Sequence, residues 1–189
     1  MTNLTRYSVQ CRAQLDGNTL VGHAAVFGQM AKVGNGYEQL SERAFEDVLK
    51  LPDSDVTSLW NHDPQYLLGR QSAGTLRVRA DSEGLAFEND LPDTSYANDL
   101  RVLLARGDIT GASFGFIPDL DKSTWTRAAD GSQIHTINGI KYLRDVSPVT
   151  FPAYSGAGVA LRSYDFGQPS GRSQLILARA RVTSRRGSR

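Results

Sequence analysis

The sequence lacks several features that identify whole classes of protein. Its 189 residues include one cysteine, Cys11, so no disulfide can form within the chain, and we expect a reducing compartment. Residues 1–6 lack the apolar stretch of a signal peptide, and no window approaches the roughly 18 apolar residues of a membrane span. The net charge of +1 gives no reason to expect nucleic-acid binding by the chain as a whole. These absences predict a soluble protein made in a cytoplasm, with no membrane partner and no specific nucleic-acid partner.

Signatures of bound cofactors are missing as well. The three histidines and one cysteine form no His-x-x-x-His or paired-cysteine spacing of the kind that zinc requires. The glycine-rich stretches at 34–36 and 107–115 do not read as phosphate-binding loops, because neither opens a helix after a strand. We therefore predict no cofactor and no metal. Cys11 is expected to be a small strand residue, since no base for a cysteine nucleophile lies near it in the sequence.

Short segments that alternate between apolar and polar residues dominate the chain. Residues 28–40 are rich in glycine and polar residues and predict a loop. An apolar stripe over 42–50 predicts a short helix capped by Ser41, and a second helix is predicted between Thr94 and Gly107. Strands, hairpins and a meander are predicted over the remaining segments, at 7–15, 19–27, 56–60, 74–90, 109–118 and 122–150. This combination predicts an α+β fold, a mostly antiparallel β-barrel of short strands with flanking helices.

The composition changes near the C-terminal end. Residues 163–189 contain many glycines and serines, and Asp165 is the sole acidic residue there. Their arginines are Arg172, Arg179, Arg181, Arg185, Arg186 and Arg189. We predict one domain over 1–162 followed by a basic, disordered tail over 163–189. A nucleic-acid binder that acts through this tail is a weaker alternative.

One serine has neighbours that would suit a nucleophile. Ser113 lies in the run GASFGF at 111–116, whose small residues leave room for a substrate backbone and leave backbone N–H groups to face a carbonyl oxygen. The alternative is a serine on the solvent face of a strand, flanked by glycines at a bend. The Gly-x-Ser-x-Gly pattern does not decide between them. It is also not an α/β-hydrolase elbow, because the chain continues as strand after Ser113.

The choice of a general base is narrow, because there are three histidines. His62 directly follows the apolar strand predicted at 56–60, and strand ends are where side chains reach a cleft from a rigid support. His23 lies within an apolar strand and is expected to have a local partner. His135 lies between two turn signals and is expected on an exposed hairpin. His62 is the best placed of the three, although spacing alone leaves its role open.

Several blocks of sequence along the chain resemble the ordered motifs of one protein family. The block LWNHD at 59–63, followed by LLGR and SAGTL, is similar to the family's histidine motif and its sequel. The blocks LVGHAAVF, FENDLPDT and RGDITGASFGF resemble its opening strand and the approach to its nucleophile. The block LRDVSPVTFPAY at 143–154 resembles its closing motif. The family that these blocks resemble is that of the prohead maturation serine proteases of tailed bacteriophages, which is distantly similar to the herpesvirus assembly protease.

The resemblance implies the site residues. Ser113 would be the nucleophile and His62 the general base, because both lie inside matched blocks. The family's closing motif commonly carries Glu where this chain has Asp145, so Asp145 is the third candidate, with a shorter reach. The alternative is that Asp145 caps a strand or pairs with Arg144. Asp63 and Asp90 are the spare candidates for the third role.

The resemblance also implies a herpesvirus-protease-like fold and a biological role. The chain would be a serine endopeptidase that cleaves the major capsid protein, scaffold segments and itself inside the immature capsid, in the cytoplasm of a host bacterium. A homodimer is expected by analogy with the herpesvirus relatives. The alternative function is a catalytically inactive capsid-assembly or scaffold module with the same fold.

Overall fold

The computed structural model describes residues 5–7, 13–33 and 36–151. Its strands are β1 Thr5–Tyr7, β2 Ala13–Asp16, β3 Thr19–Val26, β4 Ala31–Val33, β5 Gly36–Leu40, β6 Thr57–Leu59, β7 Leu67–Arg70, β8 Leu76–Ala80, β9 Gly84–Asp90, β10 Gly111–Pro118, β11 Thr124–Arg127, β12 Gln133–Ile137 and β13 Ile140–Val149. One α-helix, α1 Ser95–Arg106, and 3-10 turns at Val48–Lys50, Trp60–His62 and Leu120–Lys122 complete the described elements. The predicted domain boundary at 162 and Cys11 both lie outside the described residues.

These strands form three sheets. Their orders are β1-β10-β13-β6-β7, β11-β12-β5-β4 and β2-β3-β9-β8. The pairings β12–β5 and β13–β6 are parallel, and the other pairings of the described strands are antiparallel. The predicted strand-rich, mostly antiparallel α+β fold is confirmed. Within the described part of the chain, however, none of the three sheets closes into a barrel.

The helix α1 was predictable because its end signals are local. The Thr94 hydroxyl accepts a hydrogen bond from the Ala97 N–H at 3.4 Å, and Gly107 adopts the left-handed conformation, with φ 80°, that ends the helix. Ala97 and Leu100 are buried on the inner face of α1. No helix among the described residues combines the length and the apolar character that a membrane crossing needs.

The second predicted helix, over 42–50, is wrong. The chain there forms turns and then the short 3-10 turn Val48–Lys50, while Ala44, Phe45 and Val48 are almost fully buried. The apolar stripe therefore marks side chains that reach the core and does not mark a continuous α-helix. The predicted loop over 28–40 is also wrong in part, since it contains β4 and β5, and β5 pairs with the distant β12.

Strand β10 lies in the first sheet, between β1 and β13. Alternate residues point to opposite faces of a strand. Ala112, Phe114 and Phe116 belong to the hydrophobic core, where the Phe114 and Phe116 rings stack with centroids 4.6 Å apart. The residues between them, Ser113 and Gly115, therefore face the other side of the sheet.

Candidate active site

Ser113 lies within β10 and not on a solvent-facing strand surface, since its relative exposure is 3%. Ser113 is directly opposite Ser147 of β13, and Gly115 is directly opposite Asp145. Directly opposed residues of an antiparallel pair have side chains on the same face of the sheet, with Cβ atoms about 5 Å apart. Ser113, Gly115, Asp145 and Ser147 therefore form one patch on the face turned away from the Phe114 core.

Gly115 leaves space for the Asp145 carboxylate. A Cβ atom at position 115 would lie 2.4 Å from Asp145 Oδ2, a distance that real Cβ atoms essentially never show, and 3.3 Å from its Cγ. The second glycine of the Gly-x-Ser-x-Gly run thus accommodates an acid on the neighbouring strand. Directly after this position the pairing of β10 with β13 shifts register between Gly115 and Phe116, as at a β-bulge, a feature often found beside functional sites.

His62 reaches this patch from the other neighbour of β13. Strand β6 runs parallel to β13, with Thr57 beside Asp145 and Ser58 beside Val146, and then enters the turn Trp60–His62. His62 Nδ1 lies 2.5 Å from Asp145 Oδ1, and the two side chains are 8% and 0% exposed. An ionised carboxylate only accepts hydrogen bonds, so Nδ1 carries the proton and donates it toward Asp145.

The Asp145 carboxylate has a second donor that the sequence analysis missed. The fully buried Ser147 hydroxyl donates to the same Oδ1 at 2.5 Å, while Oδ2 has no hydrogen-bond partner among the described residues. Burial favours the neutral acid, but the hydrogen bonds from His62 and Ser147 and the charge of Arg144 outweigh it. The pKa of the Asp145 carboxyl therefore lies below its usual range.

The structure thus brings His62 and Asp145 into direct contact and puts Ser113 on the same face of the adjacent strand. Asp145 lies inside β13 and does not cap a strand. The two spare acids have other contacts: Asp63 accepts from the Gln65 N–H, and Asp90 forms an ion pair with Arg77.

The two remaining histidines lie in other sheets. His23 of β3 was expected to have a local partner; its Nε2 lies 2.9 Å from Asp81 Oδ2, whose residue is 58 positions away in the chain. His135 was expected on an exposed hairpin, and this is wrong, because it is 5% exposed. His135 is hydrogen-bonded to Glu38 on the parallel strand β5 and stacks under the Trp125 ring. Burial raises the pKa of Glu38 to about 7 and lowers that of His135.

Two side-chain contacts at the site, those of Ser147 with Asp145 and of Asn61 with Thr150, could have been predicted from sequence position. Ser147 follows Asp145 by two residues, the spacing that puts both on one strand face. Asn61 directly precedes His62, and its side chain forms hydrogen bonds with Thr150, the residue that follows β13. Across residues 13–33 and 36–151 the structure contains no group of three His, Cys, Asp or Glu side chains arranged to hold a metal ion.

Comparison with known proteins agrees with the resemblance of the sequence blocks. The prohead protease of Enterobacteria phage HK97 is 29% identical over 147 residues, and the match spans 76% of this chain and 60% of that protein. Among solved structures, the bacteriophage T4 capsid assembly protease has a TM-score of 0.52 at 12% identity, covering 80% of this chain and 99% of the other. The T4 likeness concerns the fold alone. The sequence profile of the caudovirus prohead serine proteases matches residues 6–168, and because that is most of the chain, the chain belongs to this family.

Proposed function

We propose that this chain is a serine endopeptidase that cleaves capsid-assembly proteins during maturation of the phage prohead. Ser113 is the nucleophile, His62 the general base and Asp145 the carboxylate that orients the imidazole. One observation carries this assignment: the buried contact of His62 Nδ1 with Asp145, on the same sheet face as Ser113. Because Nδ1 holds the proton in that contact, Nε2 has a free lone pair with which to accept a proton.

The proposed reaction follows from these protonation states. Nε2 of His62 takes the hydroxyl proton as Ser113 Oγ attacks the peptide carbonyl carbon, and the carbonyl oxygen becomes an oxyanion. The imidazolium then gives that proton to the leaving amine, the C–N bond breaks, and an acyl-enzyme remains. His62 then takes a proton from a water molecule, whose oxygen attacks the acyl carbon. The ester bond to Ser113 breaks, the carboxylic acid leaves, and the imidazolium returns the proton to Ser113 Oγ. Throughout, the Asp145 carboxylate stabilises the positive charge that forms on the imidazole.

The oxyanion needs preorganised N–H donors, for which we propose the backbone near Ser113 or that of residues 152–158, the latter outside the described residues. We also propose a herpesvirus-protease-like arrangement of the sheets, supported by the packing of β3 of the third sheet against β10 of the first.

The substrates are proposed from the relatives. One relative is named a prohead protease and the other a capsid assembly protease. Because the chain spans 60% of the length of the HK97 protein, its substrates and partners do not follow directly from that relative. We propose the major capsid protein, scaffold segments and the chain's own 163–189 tail as substrates. The proposed setting is the prohead interior in the host bacterial cytoplasm, with a homodimer as the assembly.

The alternative function, an inactive capsid-assembly module, is favoured by one observation, the burial of Ser113. A fluorophosphonate probe separates the two functions, because it reacts only with an activated serine. We expect labelling of Ser113 in the wild-type chain and its loss in His62→Ala. The matched control is His23→Ala, which removes a histidine with an Asp partner in another sheet and should leave labelling intact.

The activity itself is tested by co-expressing the chain with its capsid protein and comparing products by mass spectrometry. Loss of the nucleophile or base in well-studied triads costs on the order of 10⁶ in kcat, and loss of the acid about 10⁴. We expect Ser113→Ala to abolish cleavage, whereas Ser82→Ala, at an exposed serine of the β8–β9 turn, should cleave as the wild type does. Cleavage that persists in Ser113→Ala would refute the assignment.

A further inference from the structure

The turn that carries His62 has an unusual backbone. Asn61 and His62 have φ values of 55° and 61°, and they are the non-glycine residues with positive φ in the described chain. The left-handed region is unfavourable for residues with a Cβ atom, and asparagine tolerates it best. Two such residues in succession need contacts that hold them there.

The Asn61 side chain supplies such contacts. Its Oδ1 accepts a hydrogen bond from the Thr150 N–H at 2.8 Å, and its Nδ2 donates to Thr150 Oγ1 at 3.2 Å. Thr150 directly follows β13. The β6–β13 ladder consists of two residue pairs, ending at Ser58 and Val146. The Asn61 amide therefore attaches the turn to the residue that directly follows β13, four positions beyond Val146, where the backbone pairing with β6 stops.

The turn Trp60–His62 is thus attached at two places to the segment 145–150, which consists of the end of β13 and Thr150. The His62 imidazole bonds to Asp145, and the preceding residue bonds to Thr150, five positions further along the same segment. Because the imidazole direction depends on the backbone dihedrals at 61 and 62, the second attachment helps to fix the first. We infer that Asn61 is a positioning residue, which holds the His62 ring on Asp145 through its amide contacts with Thr150. This inference rests on the proposed function of His62.

Four variants separate the contributions of the side chain and of the backbone. Asn61→Gly keeps the positive φ and removes both hydrogen bonds. Asn61→Asp tolerates the same φ and keeps the acceptor for the Thr150 N–H, while the Thr150 hydroxyl can rotate to donate to it. Thr150→Val removes only the Oγ1 contact. Asn18→Gly is the matched control, since Asn18 is an exposed turn residue of the third sheet whose side chain bonds to the Leu91 carbonyl.

The kinetic readout uses the full chain and a peptide that spans a junction cleaved by the wild type. We expect Asn61→Gly to lower kcat about ten-fold with KM nearly unchanged, which corresponds to about 1.4 kcal/mol. Asn61→Asp should recover most of this loss, Thr150→Val should lose about three-fold, and Asn18→Gly should equal the wild type. An Asn61→Gly enzyme with wild-type kcat would overturn the inference, as would an Asn61→Asp enzyme no better than Asn61→Gly.

A second readout does not depend on catalysis. We expect the His62 Nδ1 proton in the contact with Asp145 to give a far-downfield proton NMR resonance, which its loss in His62→Gln would assign. We expect this resonance to shift or broaden in Asn61→Gly and to remain in Asn18→Gly; an unchanged resonance in Asn61→Gly contradicts the positioning role. If Ser113→Ala retains proteolysis, the proposed function fails, while this resonance still tests whether Asn61 holds the imidazole.

Discussion

Replacing Gly115 with alanine would add a methyl group where the Asp145 carboxylate lies. The new Cβ would be 2.4 Å from Oδ2, whereas ordinary van der Waals contact begins at 3.4 Å, so the carboxylate must move by about 1 Å. The same carboxylate lies 2.5 Å from His62 Nδ1, and its other contact is with the buried Ser147. A movement of this size therefore breaks or bends the contact with the imidazole.

The expected cost follows from that displacement. A 1 Å misplacement of a reacting or orienting group costs on the order of 10² in rate, and complete loss of the triad acid about 10⁴. We expect Gly115→Ala to lower kcat/KM by about 10², measured on a cleaved peptide, in a chain that still folds by circular dichroism. Gly139→Ala is the control, because the nearest atom to its new Cβ is the flexible Lys122 side chain.

A double-mutant cycle makes this prediction specific to the carboxylate. In an Asp145→Ala background the clashing oxygen is absent, so adding Gly115→Ala should cost little further activity. Wild-type kcat/KM in Gly115→Ala would refute the reasoning. Equal losses in the presence and absence of Asp145 would also refute it, since the damage would then come from the strand and not from the acid.

Two further predictions concern buried polar groups. Ser147→Ala removes a donor to the ionised Asp145, a bond worth about 1.5–3 kcal/mol, so we expect kcat to fall about 10- to 100-fold with little change in KM; a kcat equal to that of wild type would contradict this. The second prediction concerns Glu38, whose folded pKa of about 7 lies above its ordinary 4.5. The folded state therefore binds the Glu38 proton more tightly than the unfolded state does. The resulting stabilisation is fully present below about pH 4.5 and is lost as the pH rises toward 7, which lowers the free energy of unfolding by roughly 3 kcal/mol. Urea denaturation between pH 4.5 and 7 measures the free energy of unfolding of the wild type and of Glu38→Gln. We expect this free energy to fall with pH more steeply in the wild type than in Glu38→Gln. The same pH dependence in both proteins would contradict a buried, protonated Glu38.

Some of the fold could be read from the sequence because its signals are local. The ends of α1 are set by Thr94 and Gly107 within one turn of the helix, and the β8–β9 hairpin has Asp81 accepting from two backbone N–H groups of its own turn. The family was predicted from ordered blocks and is confirmed. The contact of His62 with Asp145 followed from the resemblance, since no local pattern links residues that are 83 positions apart.

The errors have a common physical cause, which is tertiary contact that no local pattern reports. The stripe over 42–50 reflects the packing of Phe45 against Phe27 and Phe114, while most of its backbone bonds span three residues, as in turns. The glycine-rich segment 28–40 was predicted to be a loop, and β5 was missed because the strand that pairs with it, β12, lies far along the chain. His135 is buried by Trp125 of the paired strand β11 and by Glu38, which lies 97 positions away in the chain. The predicted tail over 163–189 stays a prediction.

The pairing of β6 with β13, which consists of two residue pairs, limits the insertions and deletions that this part of the chain can accept. Thr57 of β6 lies beside Asp145 of β13, and after Ser58 the chain leaves β13. Within the next four residues the chain must turn back so that the His62 imidazole contacts the Asp145 carboxylate. One residue of extended chain advances about 3.3 Å, which exceeds the length of a hydrogen bond. An insertion or deletion between Leu59 and His62 would therefore separate the imidazole from the Asp145 carboxylate even if every side chain were kept. In this stretch, the number of residues is therefore under physical constraint in addition to the chemical identities of Asn61 and His62.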